Sequence, residues 1–313
     1  KLYWILDAYT VTSYYPYSEP YRGRFNYIRN PVKAVVDAYE GKVGFYVADP
    51  SDPLLLTYQK IFPDLFSPMS EMPADLKDHI RYPQDLFMVQ SEMYAIYHMK
   101  SPRVFYNKED MWAIPNEIYG SEPRRMEPYY IVMRVPGETQ AEFLQMIPFT
   151  PTQKLNMVGW VAARCDAERY GELLAFKFPK DRVIYGPMQV EARIDQDPQI
   201  SQQLTLWGQV GSQIIRGNLL VIPVDSSVIY AEPLYLQAKD TKFPEFKRVF
   251  VAYGDRVVME PTVDAALRRV FGLEVGEGRD LLPGAPAEET GLRGMAERAA
   301  QLYREALERL RSG

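Results

Sequence analysis

The sequence predicts an α+β fold: mainly antiparallel sheets built from hairpins, with helices inserted at 52–98 and 187–207 and a helix at the C-terminus. Three observations predict it. Alternating apolar runs recur in pairs around short glycine-bearing turns, at 32–48, 127–151 and 246–262. Tyrosine (23) and proline (25) are abundant, which favours aromatic-packed turns and strands over a helix bundle. Helical spacing of apolar residues falls in the two inserts, in a short segment before Gly272 and in the tail.

Taken in order, residues 2–12 (LYWILDAYTVT) are aromatic and β-branched and read as a strand. A long loop follows, in which Tyr14, Tyr15, Tyr17, Tyr21 and Tyr27 either form a stacking platform for sugars or pack the loop onto the sheet. Residues 32–48 read as a hairpin turning at Glu40-Gly41. Pairing across a two-residue turn sets Ala38 opposite Val43, Val36 opposite Phe45 and Ala34 opposite Val47 on one apolar face. Asp52 then caps a helix that has Pro53 at its first position. Asp49 and Asp52 match no calcium-loop spacing, so capping and turn formation account for them. Further helices are expected over Ser70–Ile80 and Pro83–Met99.

From Glu127 the pattern returns to strand, with turns at Pro136-Gly137 and Gly254-Asp255. Thr262 caps a last short helix that Gly272 ends. These segments make one α+β domain over 1–272. Residues 273–291 are glycine-, proline- and acid-rich and read as a flexible linker. Residues 292–313 form an amphipathic helix striped by Leu292, Met295, Ala299, Leu302, Tyr303, Ala306 and Leu310. Such a stripe needs a partner surface, and a homo-oligomer joined through this helix is one way to supply it.

Composition bounds the function. The chain has 313 residues, 47% of them apolar and 25% charged, as in ordinary globular proteins. No window approaches the ~18 consecutive apolar residues of a membrane span. A net charge of −5 disfavours a nucleic-acid partner, because neutralising phosphates requires a basic face. The single cysteine, Cys165, allows no intrachain disulfide and reads as a packing residue. The first residues lack the features of a signal peptide and read as a strand already under way, so a piece of a longer protein is expected.

Unusual polar residues crowd into Gly186–Ala238. Here Asp195 and Asp197 flank a turn before Pro198, where one of them caps the next helix. Read instead as a carboxylate pair, they could split their pKa values and serve an acid/base reaction. Gln203 and Trp207, with Gln202, would make a polar rim beside an aromatic floor for carbohydrate or peptide. Arg193, Arg216 and Asn218 complete the candidate binding residues, and Arg216 is expected to pair with Asp195 or Asp197. Glycine spacing fits neither GxGxxG nor GxxxxGK, and the serines lack a GxSxG elbow, so no cofactor and no catalytic residue is assigned. His79 and His98 have no ligand at metal-binding spacing, so no metal is assigned.

With these residues laid out, the chain resembles one family. The matching stretches include LYWILDAYTVTSYYPYS, FNYIRNPVKAVVDAYEGKVGFYVADPSDP, MEPYYIVMRVPGE and, above all, EARIDQDPQISQQLTLWGQVGSQIIRGNLLVIPV. They are similar to the soluble C-terminal region of an uncharacterised bacterial and cyanobacterial family of multi-pass membrane proteins. That family carries about seven N-terminal transmembrane helices and a large extracytoplasmic region. The resemblance covers Leu2 to about Gly272. It implies a cell-membrane location with this domain extracytoplasmic, and it implies no reaction, ligand or catalytic residue.

The expectation is therefore a non-enzymatic extracytoplasmic domain that binds another membrane or envelope protein, or another envelope component. The alternative is an envelope-acting, hydrolase-like enzyme using Asp195 and Asp197.

Overall fold

The structure is a computed structural model that describes residues 1–166, 169–209, 212–224, 227–238 and 243–273. Its strands pair mostly antiparallel and its helices are separate insertions, so the fold is α+β. The chain forms two compact units: residues 1–93 with 163–172, and residues 94–162 with the remainder. Apart from Leu273, the predicted linker and terminal helix lie outside the described residues.

The first unit is organised on a four-stranded sheet. It contains β1 (Tyr3–Thr12), β2 (Tyr27–Asp37), β3 (Val43–Val47), α1 (Pro53–Ile61), β4 (Phe66–Pro68), a 3-10 turn (Met69–Glu71), α2 (Ala74–Lys77) and the start of α3 (Gln84–Tyr97). The strand order is β1-β2-β3-β4, with β1 at an edge. One face packs Val35 against Met72 and Leu76. The other packs Val32 and Val47 against Leu55 of α1. Asp52 caps α1 as predicted, accepting a hydrogen bond from the Leu55 amide at 2.6 Å. The same carboxylate accepts from the Tyr27 and Thr10 hydroxyls, which ties the helix start to β1 and β2.

The hairpin at 32–48 forms with a longer turn than expected. Val36 faces Val43, Ala34 faces Phe45 and Val32 faces Val47, a shift of two residues from the predicted pairing. Asp37 is the cause: its Oδ1 accepts from the amides of Tyr39 and Glu40 and widens the loop. Gly41 supplies the positive φ of +67° that the loop needs. Because side chains alternate every second residue, the two-residue shift leaves the same residues on the apolar face. The helix expected over Ser70–Ile80 is interrupted. Pro73 holds Met72 extended at ψ 135°, so only the 3-10 turn and the four-residue α2 form.

The second unit takes in the end of α3 and α4 (Pro102–Asn107). Its strands begin with β5 (Trp112–Ala113), β6 (Asn116–Tyr119), β7 (Glu122–Arg125), β8 (Tyr129–Arg134) and β9 (Ala141–Pro151). They are followed by β10 (Gly159–Arg164), whose last two residues belong to the first unit, and β11 (Leu173–Lys177). Helices α5 (Pro187–Gln196) and α6 (Pro198–Gln209) lead into β12 (Ser212–Arg216), β13 (Leu220–Val224), β14 (Ser227–Ala238), β15 (Glu245–Tyr253), β16 (Arg256–Glu260) and α7 (Val263–Val270).

Of its sheets, one has β9 at its centre, buries Leu144, Met146, Ile147 and Phe149, and adds Trp160 from β10. Another runs β12-β14-β15-β16, with β13 also paired to β14, and packs Val249 and Val251 against Ala266, Leu267 and Val270 of α7. The predicted turn at Gly254-Asp255 joins Tyr253 to its partner Arg256, and Thr262 caps α7 by accepting from the Ala265 amide.

Pro233 suggests an edge or a bend; β14 is an inner strand of its sheet, and its register shifts between Leu234 and Tyr235, just after the proline. The proline sits where the ladder passes from β13, paired at 227–231, to β12, paired at 234–238. A residue without an N–H fits that break.

Candidate functional site

The loop after β12 gathers the polar residues that sequence singles out. Arg216 ends β12 and is buried. Its Nε donates to Glu232 Oε1 at 2.7 Å and its Nη2 to Glu232 Oε2 at 2.9 Å, a two-point contact between neighbouring strands. Nη2 also donates to Glu191 Oε2, and Nη1 to Asp195 Oδ1 at 2.8 Å. Glu191 and Asp195 lie four residues apart on α5, so one helix face brings both to the same guanidinium. Phe250 of β15 lies 5.5 Å beneath the guanidinium.

A second buried carboxylate adjoins this cluster. Glu117 of β6 is fully buried; it accepts from the Leu219 amide at 2.9 Å, from Asn218 Nδ2 at 3.2 Å and from Arg124. The amide of Ile118, the next residue, donates to Glu191 Oε1 at 3.1 Å. The loop at 217–219 is therefore held by carboxylates on both sides. Gly217 is needed there, because a Cβ would lie 2.6 Å from Pro233 Cγ.

Burial sets the electrostatics. It pushes the Glu191 carboxyl up to about 8, reinforced by the neighbouring Glu232 charge. Burial likewise raises Glu232 and Glu117 above the usual carboxylate range. For Arg216 burial works against the charge, but the bonds and charges of Glu232, Glu191 and Asp195 outweigh it and raise its pKa.

The predicted residues separate into different roles. Asp195 pairs with Arg216, and Asn218 joins through Glu117. Asp197 is the helix cap: its Oδ1 accepts from the amides of Gln199 and Ile200, both at 3.0 Å. Arg193 points elsewhere, stacking on Tyr185 at 3.9 Å and bonding Asp255 at 2.9 Å. Gln203 is exposed on α6, while Trp207 lies near Lys247 and Arg248 of β15. Asp195 also borders a shallow depression of about 540 Å³ that takes in Ser201, Gln202 and Leu206 but none of Arg193, Arg216 or Trp207.

Glu191, Glu232 and Glu117 were not legible as site residues. A signal existed for two of them. Glu232 is the lone charge in the apolar run VIYAEPLYL, and Glu191 falls between Val190 and Ile194 on the buried side of α5. A charge inside an apolar pattern points to a buried partner.

Elsewhere in the second unit, His98 is buried and stacks on Trp112 with ring centroids 4.0 Å apart, and burial lowers its pKa. Among the described residues no cluster of His, Cys, Asp and Glu is placed to hold a metal. In the tyrosine loop of the first unit, Tyr15 stacks on Tyr27 at 5.3 Å and Tyr21 packs on Phe25, while Tyr14 and Tyr17 are exposed.

These features define an α+β protein region that carries a largely buried salt-bridge network centred on Arg216. Residues 1–207 match a family described as "Uncharacterised protein family (UPF0182)", and the chain belongs to that family. It is 55% identical over 317 residues to a "UPF0182 protein" of Pelotomaculum thermopropionicum, covering all of this chain and 35% of the relative. A relative from Moorella thermoacetica is 54% identical over 318 residues, again across the whole chain and 35% of its own length. One from Methanospirillum hungatei is 53% identical over 279 residues, covering 87% of this chain and 31% of the relative. The chain thus spans about a third of the length of these relatives. No solved structure matches.

Proposed function

We propose that this chain is the extracytoplasmic region of an integral membrane protein and that it binds a protein partner rather than catalysing a reaction. The observation that carries the reading is the half-covered sheet of the first unit. Rows of facing residues cross β1, β2 and β3. The row Ala8–Val32–Val47 is covered by Leu55, whereas Trp4, Leu6 and Val43 on the same face remain 61%, 52% and 52% exposed. Open apolar area of this kind marks interaction sites on soluble domains.

The shape of the surface favours an extended, apolar protein segment. Among the described residues β1 pairs on one side only, with β2, leaving the far edge of a ten-residue strand for another backbone. The strand holds no proline and no lysine, the usual guards of an exposed edge, and its one charged side chain, Asp7, is engaged by Lys33. A segment adding to this edge would supply backbone hydrogen bonds and place alternate side chains over Trp4 and Leu6. A polysaccharide or lipid has no such backbone to offer.

The membrane location is supported by length. Roughly two thirds of each relative lies outside the matched region, ample for membrane-spanning helices. Among the described residues no helix is long and apolar enough to cross a membrane.

Photo-crosslinking from position 6 of the full-length protein in native membranes tests the partner. Adducts with another protein, or with another part of the same polypeptide, are the expected result. Adducts with lipid or sugar alone would overturn it. Protease added outside intact cells should cleave this region; complete protection would overturn the extracytoplasmic placement.

A further inference from the structure

We infer that Glu191 and Glu232 hold one proton between them and that this proton latches helix α5 to the sheet of β12 and β14. One guanidinium, Arg216, faces three carboxylates. Asp195 keeps 57% of its side chain in solvent, so water carries much of its charge. Glu191 and Glu232 are buried to 1% and 0% and have no such relief. Both accept from the same Nη2 atom, which sets their carboxyl groups side by side. Two bare carboxylates in contact inside a protein repel strongly, and one shared proton turns that repulsion into a hydrogen bond.

Among the described residues, the surroundings supply no second cation to the pair. On α5 itself, Arg193 turns to Tyr185 and Asp255. From β6 and β7, Arg124 is committed to Glu117, itself a buried carboxylate. Helix α6, which packs on α5 and β12, contains no ionisable side chain. The β15 side presents the ring of Phe250.

Burial raises both carboxyl groups, Glu191 to about 8. A carboxyl whose folded pKa exceeds its unfolded value holds its proton more tightly in the folded chain. The stabilisation is complete below about 4.5, declines as pH rises, and is gone above about 8. Deprotonation leaves two buried charges against one Arg216, and the contact that yields is between α5 and the strands.

Hydrogen exchange of the 313-residue chain at about pH 6 and about pH 9, corrected for intrinsic rates, tests the latch, with α7 as internal reference. The expected result is that α5 amides lose protection at alkaline pH at least tenfold more than α7 amides. Glu191→Gln, which keeps the shape and a donor without a titrating proton, should abolish that difference. Equal change in α5 and α7, or a Glu191→Gln variant with the wild-type response, would overturn the proposal. If that variant does not fold, infrared spectroscopy of the wild-type chain keeps the test open. A protonated-carboxyl band lost between the two pH values supports the latch, and its absence at the lower pH overturns it.

Discussion

Arg216 and Glu232 meet across β12 and β14 through two parallel hydrogen bonds of 2.7 and 2.9 Å, both partners buried. Such a pair fixes orientation as well as charge, because a guanidinium and a carboxylate match in only a few planar geometries. It also explains how the chain tolerates the ladder break at Pro233. The side chains on either side of the break hold β12 in place where backbone pairing changes partner.

Removing one member of this pair strands the other. Arg216→Met is expected to cost about 3–5 kcal/mol, because Glu232 and Glu191 lose their counter-charge in the interior. Arg216→Lys should recover little of it, since an ammonium cannot make the two-point contact. Urea unfolding of the variants measures both; a loss under about 1 kcal/mol for Arg216→Met contradicts the structural role.

Asp195 and Asp197 should behave differently although they are two residues apart. Asp197→Ala removes the cap of α6 and is expected to cost about 1 kcal/mol. Asp195→Ala removes an exposed partner of Arg216 and should cost no more than about 1 kcal/mol, and less at high salt. Unfolding midpoints at low and high salt separate the two, since only the Asp195 effect should shrink.

Lys33 is buried to 1% on β2 and bonds to Asp7 of the neighbouring strand, whose side chain is 32% exposed. The two halves of this pair are not equivalent. Asp7→Ala leaves a buried ammonium whose pKa burial already lowers, and should destabilise by about 3 kcal/mol or more. Lys33→Met fills the same volume and leaves a hydrated aspartate, so its cost should be about 1 kcal/mol or less. Thermal melts showing the reverse order would contradict this account.

Gly159 on β10 has no room for a side chain: a Cβ would sit 2.2 Å from the carbonyl oxygen of Phe176 on β11. Gly159→Ala should therefore cost about 1–3 kcal/mol through forced separation of the strands. Gly23 has open space but a φ of +69°, so Gly23→Ala should cost only about 1 kcal/mol, from backbone strain. Comparing the two variants by chemical denaturation tests sterics against conformation.

Leu6→Glu places a charge on the open rows of the first unit. Because Leu6 is exposed, stability should change by less than about 0.5 kcal/mol. The same substitution should remove protein crosslinks formed from a photoreactive group at position 4 in the full-length protein. Retained crosslinks would separate this surface from partner binding.

Much of the fold was legible because it follows from local chemistry. Asp52, Asp197 and Thr262 cap helices, and Gly254-Asp255 turns a hairpin, because each solves a problem posed by the residues next to it in the chain. Alternation placed Ala34, Val36 and Phe45 on one face even though the register moved by two residues. Local pattern also reads Pro233 as marking a strand edge or a bend; β14 is central rather than an edge, and the irregularity lies beside the proline, in the register shift between Leu234 and Tyr235.

The α+β fold, the helix caps, the faces of the strands and the expectation that Arg216 finds an aspartate nearby all follow from residue pattern alone. Which carboxylates Arg216 meets is settled by packing. Glu191 and Glu232 lie 25 and 16 residues from it along the chain, on a helix and a central strand. No local periodicity links those positions. They converge because α5, packed on β6 and α6, carries Glu191 to the Arg216 guanidinium, and a buried charge must take whichever partner packing brings within hydrogen-bonding distance.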